Sequence, residues 1–221
     1  MIETIEDHYV DQSLMKSGGW VLDLGCVGFK NVAYFLSKGF KVIGVEPVKG
    51  EEGSPYRPSP IISFNEKFTH LQKACVGIKN TETMTFYEYA WGGANSLITK
   101  PEMLHQEKYG GHAANPFKAS YQVPVTTISE IMEEFNIEEF EYVKMDIEGA
   151  EYEILENLPE GIKQFSVEFH DFLDLGPDPE NVEGYHDNLN KNVLTNYKKV
   201  TEKRGWRNNI DDCLYVRRDL I

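Results

Sequence analysis

Cysteine is scarce in this sequence, and its distribution excludes the usual cysteine-based sites. The three cysteines, Cys26, Cys75 and Cys213, are odd in number and far apart in the chain. No CxxC pair is present, so neither a zinc site nor a dithiol redox site is predicted. A chain with so few cysteines fits a reducing compartment, and we expect it in the cytoplasm.

Long apolar runs are missing as well. A membrane-spanning helix needs about 20 consecutive apolar residues, and no stretch of the sequence approaches that length. Residues 1–19 are acidic and polar and lack the apolar centre of a secretion signal. We therefore expect no association with membranes.

Basic residues are outnumbered by acidic ones. Lys and Arg together number 22 and Asp and Glu 36, which gives a net charge of −14. This charge repels phosphate backbones, so we expect no binding to nucleic acids. A neutral or cationic small molecule is a better partner for such a protein. The sequence does not indicate an oligomeric state.

The chain is long enough for one domain with a proper hydrophobic core. It has 221 residues, of which 41% are hydrophobic. We expect a single domain over residues 1–221, with an N-terminal extension at 1–19. The stretch 99–120, which includes YGGHAANP, is predicted to be a lid-like insertion.

Short apolar segments alternate with amphipathic ones, which predicts an α/β fold with a mostly parallel sheet and an antiparallel terminal hairpin. A helix is predicted to start near Thr127, where Thr127 and Glu130 fit a capping box. A late helix is predicted over residues 185–205, and the terminal hairpin over 206–210 and 212–218. The predicted strands are Trp20–Gly25, Lys41–Pro47, Leu71–Ile78, Tyr142–Ile147 and Phe165–His170 in the core, with Thr83–Tyr89 and Tyr121–Ile128 as an extra hairpin.

The turn after the first strand favours one nucleoside cofactor over another. Glu46 ends the second strand, where a carboxylate can accept hydrogen bonds from ribose hydroxyls. The turn contains Gly25 and Gly28 but no GxGxxG, which a pyrophosphate needs. Asp23 would also repel a pyrophosphate, whereas it suits the ammonium and sulfonium of S-adenosylmethionine. An Asp-x-Gly after a strand is also ordinary turn chemistry.

Four segments resemble the FkbM family of S-adenosylmethionine-dependent methyltransferases: VLDLGC, VIGVEP, VPVTTISEIM and, most specifically, VKMDIEGAEYEIL. The later FSVEFH is also similar to a family segment. The resemblance implies a Rossmann-like, seven-stranded methyltransferase fold. It also implies O-methylation of a hydroxyl on a small carbohydrate-like or other metabolite acceptor, with S-adenosylhomocysteine as a product.

The first turn departs from the family pattern, which usually reads Asp-x-Gly-Ala-Asn-x-Gly. Here Cys26 and Val27 replace Ala and Asn, and the glycine comes one residue early, at Gly28. Phe29, at the usual position of that glycine, is expected to narrow the methionine end of the pocket. The residues expected to bind the cofactor are Asp23, Gly25, Cys26, Gly28, Glu46, Pro47, Val76 and Asp146.

The chemistry is expected where the fourth strand gives way to a helix. Asp146 and His170 end neighbouring strands, so either could accept the proton of an acceptor hydroxyl, and Glu148 is the third catalytic candidate. Glu151 is assigned to the helix without a role in the site. Glu168 is expected to be buried and to need a partner.

The resemblance places the WGGANSL segment near the active site, and Asn95 and Ser96 are expected to bind substrate. No metal is predicted, because the spacing of His105 and His112 does not support a site. Two alternatives stay open. One is an NAD-dependent Rossmann oxidoreductase, and the other is a non-catalytic module that binds an adenosine ligand.

Overall fold

The computed structural model describes residues 1–51, 53–89, 95–97, 117–170, 188–204 and 210–221. The strands are β1 (Ile2–Ile5), β2 (His8–Asp11), β3 (Trp20–Leu24), β4 (Lys41–Val45), β5 (Phe68–Leu71), β6 (Ala74–Cys75), β7 (Thr83–Tyr89), β8 (Phe117–Thr126), β9 (Phe140–Met145), β10 (Gln164–Glu168), β11 (Tyr197–Arg204) and β12 (Ile210–Arg217). The α-helices are α1 (Lys30–Ser37), α2 (Pro60–Ser63), α3 (Ile128–Glu134) and α4 (Glu151–Glu156), and a π-helical turn covers Leu189–Val193.

A mixed sheet organises these elements, with the strand order β11-β12-β10-β9-β3-β4-β5. The five strands from β10 to β5 run parallel, and β11 and β12 add an antiparallel hairpin at one edge. The predicted α/β class and mostly parallel sheet are confirmed. The carboxyl ends of β3, β4 and β9 therefore meet at one edge of the sheet, which is where open α/β sheets bind ligands.

Central strands of this kind are apolar because helices and loops cover both of their faces. Leu22 and Leu24 of β3 and Val143 and Met145 of β9 are fully buried. Three buried residues in the same strands break this rule: Asp23, Glu141 and Lys144. Asp23 and Lys144 are direct cross-strand partners, so a buried cation and a buried anion lie side by side just below the ligand-binding edge.

The extra hairpin and the capped helix were predicted correctly. β7 and β8 pair antiparallel, and β6 joins them in a second sheet. At the start of α3, the Thr127 side chain accepts the Glu130 N–H and the Glu130 carboxylate accepts the Thr127 N–H, as a capping box requires. β8 begins at Phe117, so residues 117–120 belong to a strand and not to the predicted insertion. Residues 99–116 lie outside the described part of the chain.

Two predicted elements were wrong. The strand expected over Leu71–Ile78 is divided: β5 pairs with β4, while β6 pairs with β8 in the second sheet. The polar Gln72 and Lys73 lie at this break. A late helix was expected over residues 185–205. Residues 197–204 form instead the strand β11, which pairs along its length with β12. The long antiparallel ladder with β12 outweighs the helical pattern of residues 197–204, and the terminal hairpin starts at Tyr197.

The N-terminal extension is folded. β1 and β2 form a hairpin that is bonded to β10: Asp11 N–H donates to Gln164 Oε1 at 2.9 Å, and Gln164 Nε2 donates to Asp11 O at 2.9 Å. Tyr9 N–H donates to Ser166 Oγ at 3.2 Å. These bonds carry His8 to the end of the sheet. None of the helices among the described residues combines the length and apolar character needed to cross a bilayer.

Candidate active site

A cavity of about 330 Å³ opens at the carboxyl ends of β3, β4 and β9. This volume is in the range of pockets for small molecules. Ala74, Cys75 and Phe86 give part of the lining an apolar character. The predicted site residues that line the cavity are Gly25, Glu46, Pro47, Asn95, Asp146 and Glu148.

Gly25 shapes the first wall of this cavity. Its φ of 77° is left-handed, and a Cβ at this position would lie 1.8 Å from the Asp146 carbonyl oxygen. Its N–H donates to Val45 O at 2.9 Å, and its carbonyl accepts from Lys144 Nζ at 2.8 Å. Only glycine can adopt this conformation and fit into this space. The turn at Gly25 therefore links the ends of β3, β4 and β9.

Glu46 is a buried carboxylate in the cavity wall, with 4% of its surface exposed. Its Oε1 accepts the Val48 N–H at 2.9 Å. Burial, which disfavours the charged form, raises the pKa of Glu46 to about 7 despite that bond and the charge of Lys144. A carboxylate placed this way can accept further hydrogen bonds from a ligand in the cavity.

Four residues expected to bind cofactor lie outside the cavity lining. Asp23 is buried beneath it, with Oδ1 at 3.5 Å from Lys144 Nζ. Cys26 is also buried, and Gly28 N–H donates to Pro55 O at 2.7 Å. Val76 packs in the core of the second sheet, so Ala74 and Cys75 line the cavity in its place.

The expectation that Phe29 narrows the pocket is wrong. The Phe29 backbone is left-handed, with φ at 56°, and its ring is buried away from the cavity. It makes edge-to-face contacts with Phe68 and His70, with centroids 6.1 and 5.4 Å apart. The altered first turn therefore places an aromatic ring in the core and leaves the cavity open at this point.

Asp146 meets a buried lysine at the cavity floor. Lys144 is 4% exposed, and its Nζ lies 3.2 Å from Asp146 Oδ2. Burial by itself lowers the pKa of Lys144, but the charges of Asp146 and Asp23 outweigh it and raise the pKa. Burial likewise opposes ionisation of Asp146, yet Lys144, His8 and His170 hold the pKa of its carboxyl far below the usual range. Asp146 is therefore ionised, and 31% of its side chain is exposed.

His170 lies beside Asp146, as its strand position predicted, with Nε2 at 4.0 Å from Asp146 Oδ1. The same nitrogen is 3.4 Å from Glu148 Oε2, and Nδ1 is 2.9 Å from Glu151 Oε1. Burial alone would lower the pKa of His170. The carboxylates of Glu148, Glu151 and Asp146 outweigh it and hold the pKa well above its ordinary value. The ring is thus an imidazolium near neutral pH.

Glu151, which was expected to belong to the helix without a role in the site, contacts His170. Its carboxylate is completely buried, and besides His170 it accepts the Ile147 N–H at 3.0 Å and the Gly149 N–H at 2.8 Å. The available signal was its place two residues after Gly149, from which a carboxylate can reach back to the turn.

Sequence reasoning missed His8 and misjudged Glu168. His8 is buried, with Nδ1 at 3.2 Å from Ser166 Oγ and Nε2 at 3.8 Å from Asp146 Oδ2. Glu168 was expected to be buried, but 35% of its side chain is exposed. Burial of the rest and the charge of Asp146 raise the pKa of Glu168 to about 8. His8 could not be found from a local motif, because it lies on the separate N-terminal hairpin β1–β2, which places it next to Asp146.

The two predicted substrate residues have different positions. Asn95 lines the cavity, where its Oδ1 accepts the Tyr89 N–H at 2.7 Å and its Nδ2 donates to Tyr56 Oη at 2.8 Å. Ser96 is buried, and its Oγ donates to the Glu148 carbonyl at 2.6 Å. Ser96 therefore supports the joint at Glu148, while Asn95 faces the space where a ligand would bind.

Among the residues that the structure describes, two groups of side chains have the spacing of metal ligands. The ligand atoms of His8, Glu168 and Asp212 lie within 4.8 Å of one another, and so do those of Asp146, Glu148 and His170. This spacing alone does not identify a metal site, because these histidines and carboxylates also pair with each other. The prediction that the site holds no metal stays a prediction.

Comparison with known proteins identifies the family to which this chain belongs. A comparison with curated proteins found no match. The family model described as Methyltransferase FkbM domain matches residues 25–207 of the 221 residues. This range contains the cavity, Asp146 and His170, and it leaves out the N-terminal hairpin with His8. The chain therefore belongs to the FkbM methyltransferase family.

Proposed function

We propose that the protein is an S-adenosylmethionine-dependent O-methyltransferase. Its acceptor is a hydroxyl on a small carbohydrate-like or other metabolite, and S-adenosylhomocysteine is the second product. The observation that carries the proposal is the cavity at the carboxyl ends of β3, β4 and β9, with both Glu46 and Asp146 in its lining. The proposal includes a Rossmann-like methyltransferase fold over one domain, residues 1–221, in the cytoplasm.

The residues of the cavity fit this cofactor. Glu46, at the end of the second parallel strand, is placed to accept hydrogen bonds from ribose hydroxyls. The apolar side chains of Ala74 and Phe86 suit a flat base. Asp146 and Glu148 suit positive charge, which the methionine end of S-adenosylmethionine carries. The cavity also holds Gly25, whose missing side chain lets a ligand approach the backbone of the turn.

The same lining disfavours the dinucleotide alternative. A pyrophosphate carries negative charge and needs backbone N–H groups directed at it. Here the Gly25 N–H donates to Val45 O and the Gly28 N–H to Pro55 O, so both are already occupied. Asp146 and Glu148 would add repulsion. Neither observation excludes the third possibility, a module that binds an adenosine ligand without catalysis.

In the proposed reaction, bound S-adenosylmethionine supplies an electrophilic methyl group. The protein's contribution is to hold the acceptor hydroxyl in line with that group, which can provide roughly 7–11 kcal/mol of barrier reduction in ideal cases. As the new C–O bond would form and the S–CH3 bond would break with release of S-adenosylhomocysteine, the hydroxyl oxygen would become positively charged and its proton strongly acidic. A weak base then suffices to take that proton.

Asp146 is the base we propose. It is ionised and lines the cavity, whereas His170 already carries a proton near neutral pH. His170 and Lys144 keep Asp146 charged until the acceptor's proton arrives. Glu148 is the reserve candidate, because its side chain also lines the cavity.

Ligand-dependent stabilisation separates the three candidate functions. A ligand that binds only the folded state raises the melting temperature, and the stabilisation grows with the logarithm of the ligand concentration divided by its Kd. We expect stabilisation by S-adenosylhomocysteine and none by NAD. Stabilisation by NAD alone would support the oxidoreductase. Radiolabelled S-adenosylmethionine with a panel of hydroxylated acceptors then tests catalysis, and binding without transfer to any acceptor would support the non-catalytic module.

A further inference from the structure

We propose that Glu151 is a positioning residue that fixes a hydrogen on Nδ1 of His170, so that only Nε2 exchanges a proton with the acceptor side. This inference rests on the proposed function, in which the protonated His170 keeps Asp146 charged, and it adds that the exchangeable proton of the ring is the one on Nε2, which faces Asp146 and Glu148. It goes beyond the family match in naming which nitrogen does the work and which residue determines it.

The hydrogen bonds of Glu151 define the orientation. A carboxylate oxygen accepts, so the 2.9 Å contact between Glu151 Oε1 and His170 Nδ1 places a hydrogen on Nδ1. The backbone N–H groups of Ile147 and Gly149 hold the carboxylate from the other side, at 3.0 and 2.8 Å. Glu151 is completely buried. A buried carboxylate with three donors has little freedom to release any of them.

The joint before α4 makes this arrangement possible. Glu148 and Gly149 both have positive φ, at 58° and 116°. Glu148 is a residue for which this conformation is unfavourable, and the two backbone bonds to Glu151 hold the turn in place. The same turn presents the Glu148 side chain to His170 Nε2. One buried carboxylate thus shapes the joint and orients the ring.

The other nitrogen faces the carboxylates near the cavity. His170 Nε2 is 3.4 Å from Glu148 Oε2, and it is 4.0 Å from both Asp146 Oδ1 and Glu168 Oε1. Within the described part of the chain, these carboxylates and that of Glu151 on the opposite side are charged groups that face the ring. A proton that leaves or reaches the ring through Nε2 therefore travels to or from Asp146 or Glu148, the two that line the cavity. In the other neutral tautomer the exchangeable position would be Nδ1, which faces Glu151 of α4 and not the cavity.

A double-mutant cycle tests whether Glu151 acts through His170. We expect Glu151→Gln to lower kcat roughly 10- to 100-fold, by analogy with the loss of carboxylates that orient metal-bound histidines. The affinity for S-adenosylhomocysteine should change little. In a His170→Ala background the same substitution should leave kcat unchanged. Glu153→Gln, on the exposed face of the same helix, is the matched control. An equal loss of kcat in both backgrounds would show a merely structural role and overturn the proposal.

Nitrogen-15 NMR of the ring tests the proposal without any turnover. The chain has six histidines, and comparison with His170→Ala assigns the signals of His170. In the unsubstituted protein we expect Nδ1 to keep its hydrogen at every pH at which the protein is folded, while Nε2 loses its own at high pH. In Glu151→Gln the pKa of the His170 ring should be lower than in the unsubstituted protein. A bare Nδ1 in the unsubstituted protein would refute the inference even if Glu151→Gln does not fold, and it would leave the proposed methyl transfer standing.

Discussion

Glu46 and Asp146 line the same cavity, yet their surroundings shift the pKa values of the two carboxyls in opposite directions. Burial dominates at Glu46 and raises its pKa to about 7. At Asp146 burial is outweighed by Lys144, His8 and His170, and the pKa falls far below the usual range. Environments that separate two carboxyl pKa values also separate their roles.

The regions around Glu46 and around Asp146 are also built differently. Glu46 depends on its own strand end, where the Val48 N–H two residues later is its bonding partner. Asp146 depends on Lys144 in its own strand, β9, and also on His8 and His170, which β2 and the end of β10 bring to it. The first region is local and suited to binding. The second is assembled partly from distant segments and is suited to moving a proton, and the following experiments test that division.

The largest effect should come from Asp146→Asn. The amide keeps the shape but cannot accept the acceptor's proton, so we expect turnover to fall roughly 10²- to 10⁴-fold, the range for loss of general-base catalysis. Binding of S-adenosylhomocysteine, measured by calorimetry, should persist. Glu133→Gln, an exposed acid on α3, is the control for the loss of one negative charge. Unchanged turnover in Asp146→Asn on a true acceptor would mean that positioning alone carries the reaction.

Lys144→Met should destabilise the fold. Lys144 is the buried cation between Asp23 and Asp146, and its removal leaves Asp23 as a buried charge without this partner. Breaking a buried pair in this way costs about 3–5 kcal/mol, measurable as a lower midpoint of urea unfolding. The exposed Lys198→Met should stay within about 0.5 kcal/mol. Equal stability of the two variants would contradict the assigned ion pair.

Glu46→Gln should stabilise the ligand-free protein above pH 7. In the unfolded chain the pKa of Glu46 is near its ordinary value of 4.5, whereas in the folded protein its pKa is about 7. The folded state therefore holds the extra proton between these values, and its stability falls as the pH rises through them. The difference between the two pKa values corresponds to about 3 kcal/mol of unfolding free energy. Glu46→Gln should be more stable than the unsubstituted protein by about this amount at pH 8, and this advantage should disappear near pH 4.5. A gain that does not depend on pH would contradict the raised pKa.

Glu46→Ala should weaken cofactor binding. If the carboxylate accepts hydrogen bonds from ribose hydroxyls, its loss should cost roughly 1.5–3 kcal/mol of binding free energy. Isothermal calorimetry with S-adenosylhomocysteine measures this directly. The exposed Glu51→Ala, just beyond the same strand end, is the control. Equal affinity for the unsubstituted protein and Glu46→Ala would refute the assignment of Glu46 to the cofactor.

The difference between the two regions also explains which residues of the site could be predicted from the sequence. Gly25, Glu46 and Asp146 follow apolar strands, and strand ends meet at one edge of a parallel sheet, so their approach could be predicted. His8 could not, because its hairpin is placed by side-chain bonds such as those of Gln164, which leave no periodic pattern. The pairing of Asp23 with Lys144 was accessible in principle, since two buried opposite charges interrupt neighbouring apolar strands.

The fold was predictable where pattern and tertiary contacts agree and was misread where they conflict. The capped helix α3 has a local cause in Thr127 and Glu130, and it forms as predicted. The segment Tyr197–Arg204 has helical composition but becomes a strand because β12 offers it a ladder. Likewise, the approach of Glu151 to His170 depends on the left-handed turn at Glu148, a conformation that its residue type does not announce.

The smallest effect should come from removing divalent metals. His170 Nδ1 is engaged by Glu151, and protonation of its Nε2 near neutral pH leaves that ring no lone pair for a metal. Lys144 already lies against Asp146. A metal would have to displace a proton or a lysine to bind there. We therefore expect EDTA treatment, followed by added Mg²⁺ or Mn²⁺, to change turnover by less than about twofold. Loss of activity with EDTA and its recovery with one metal would show that the carboxylates of this region serve a metal ion, and Asp146 would then be a ligand instead of a base.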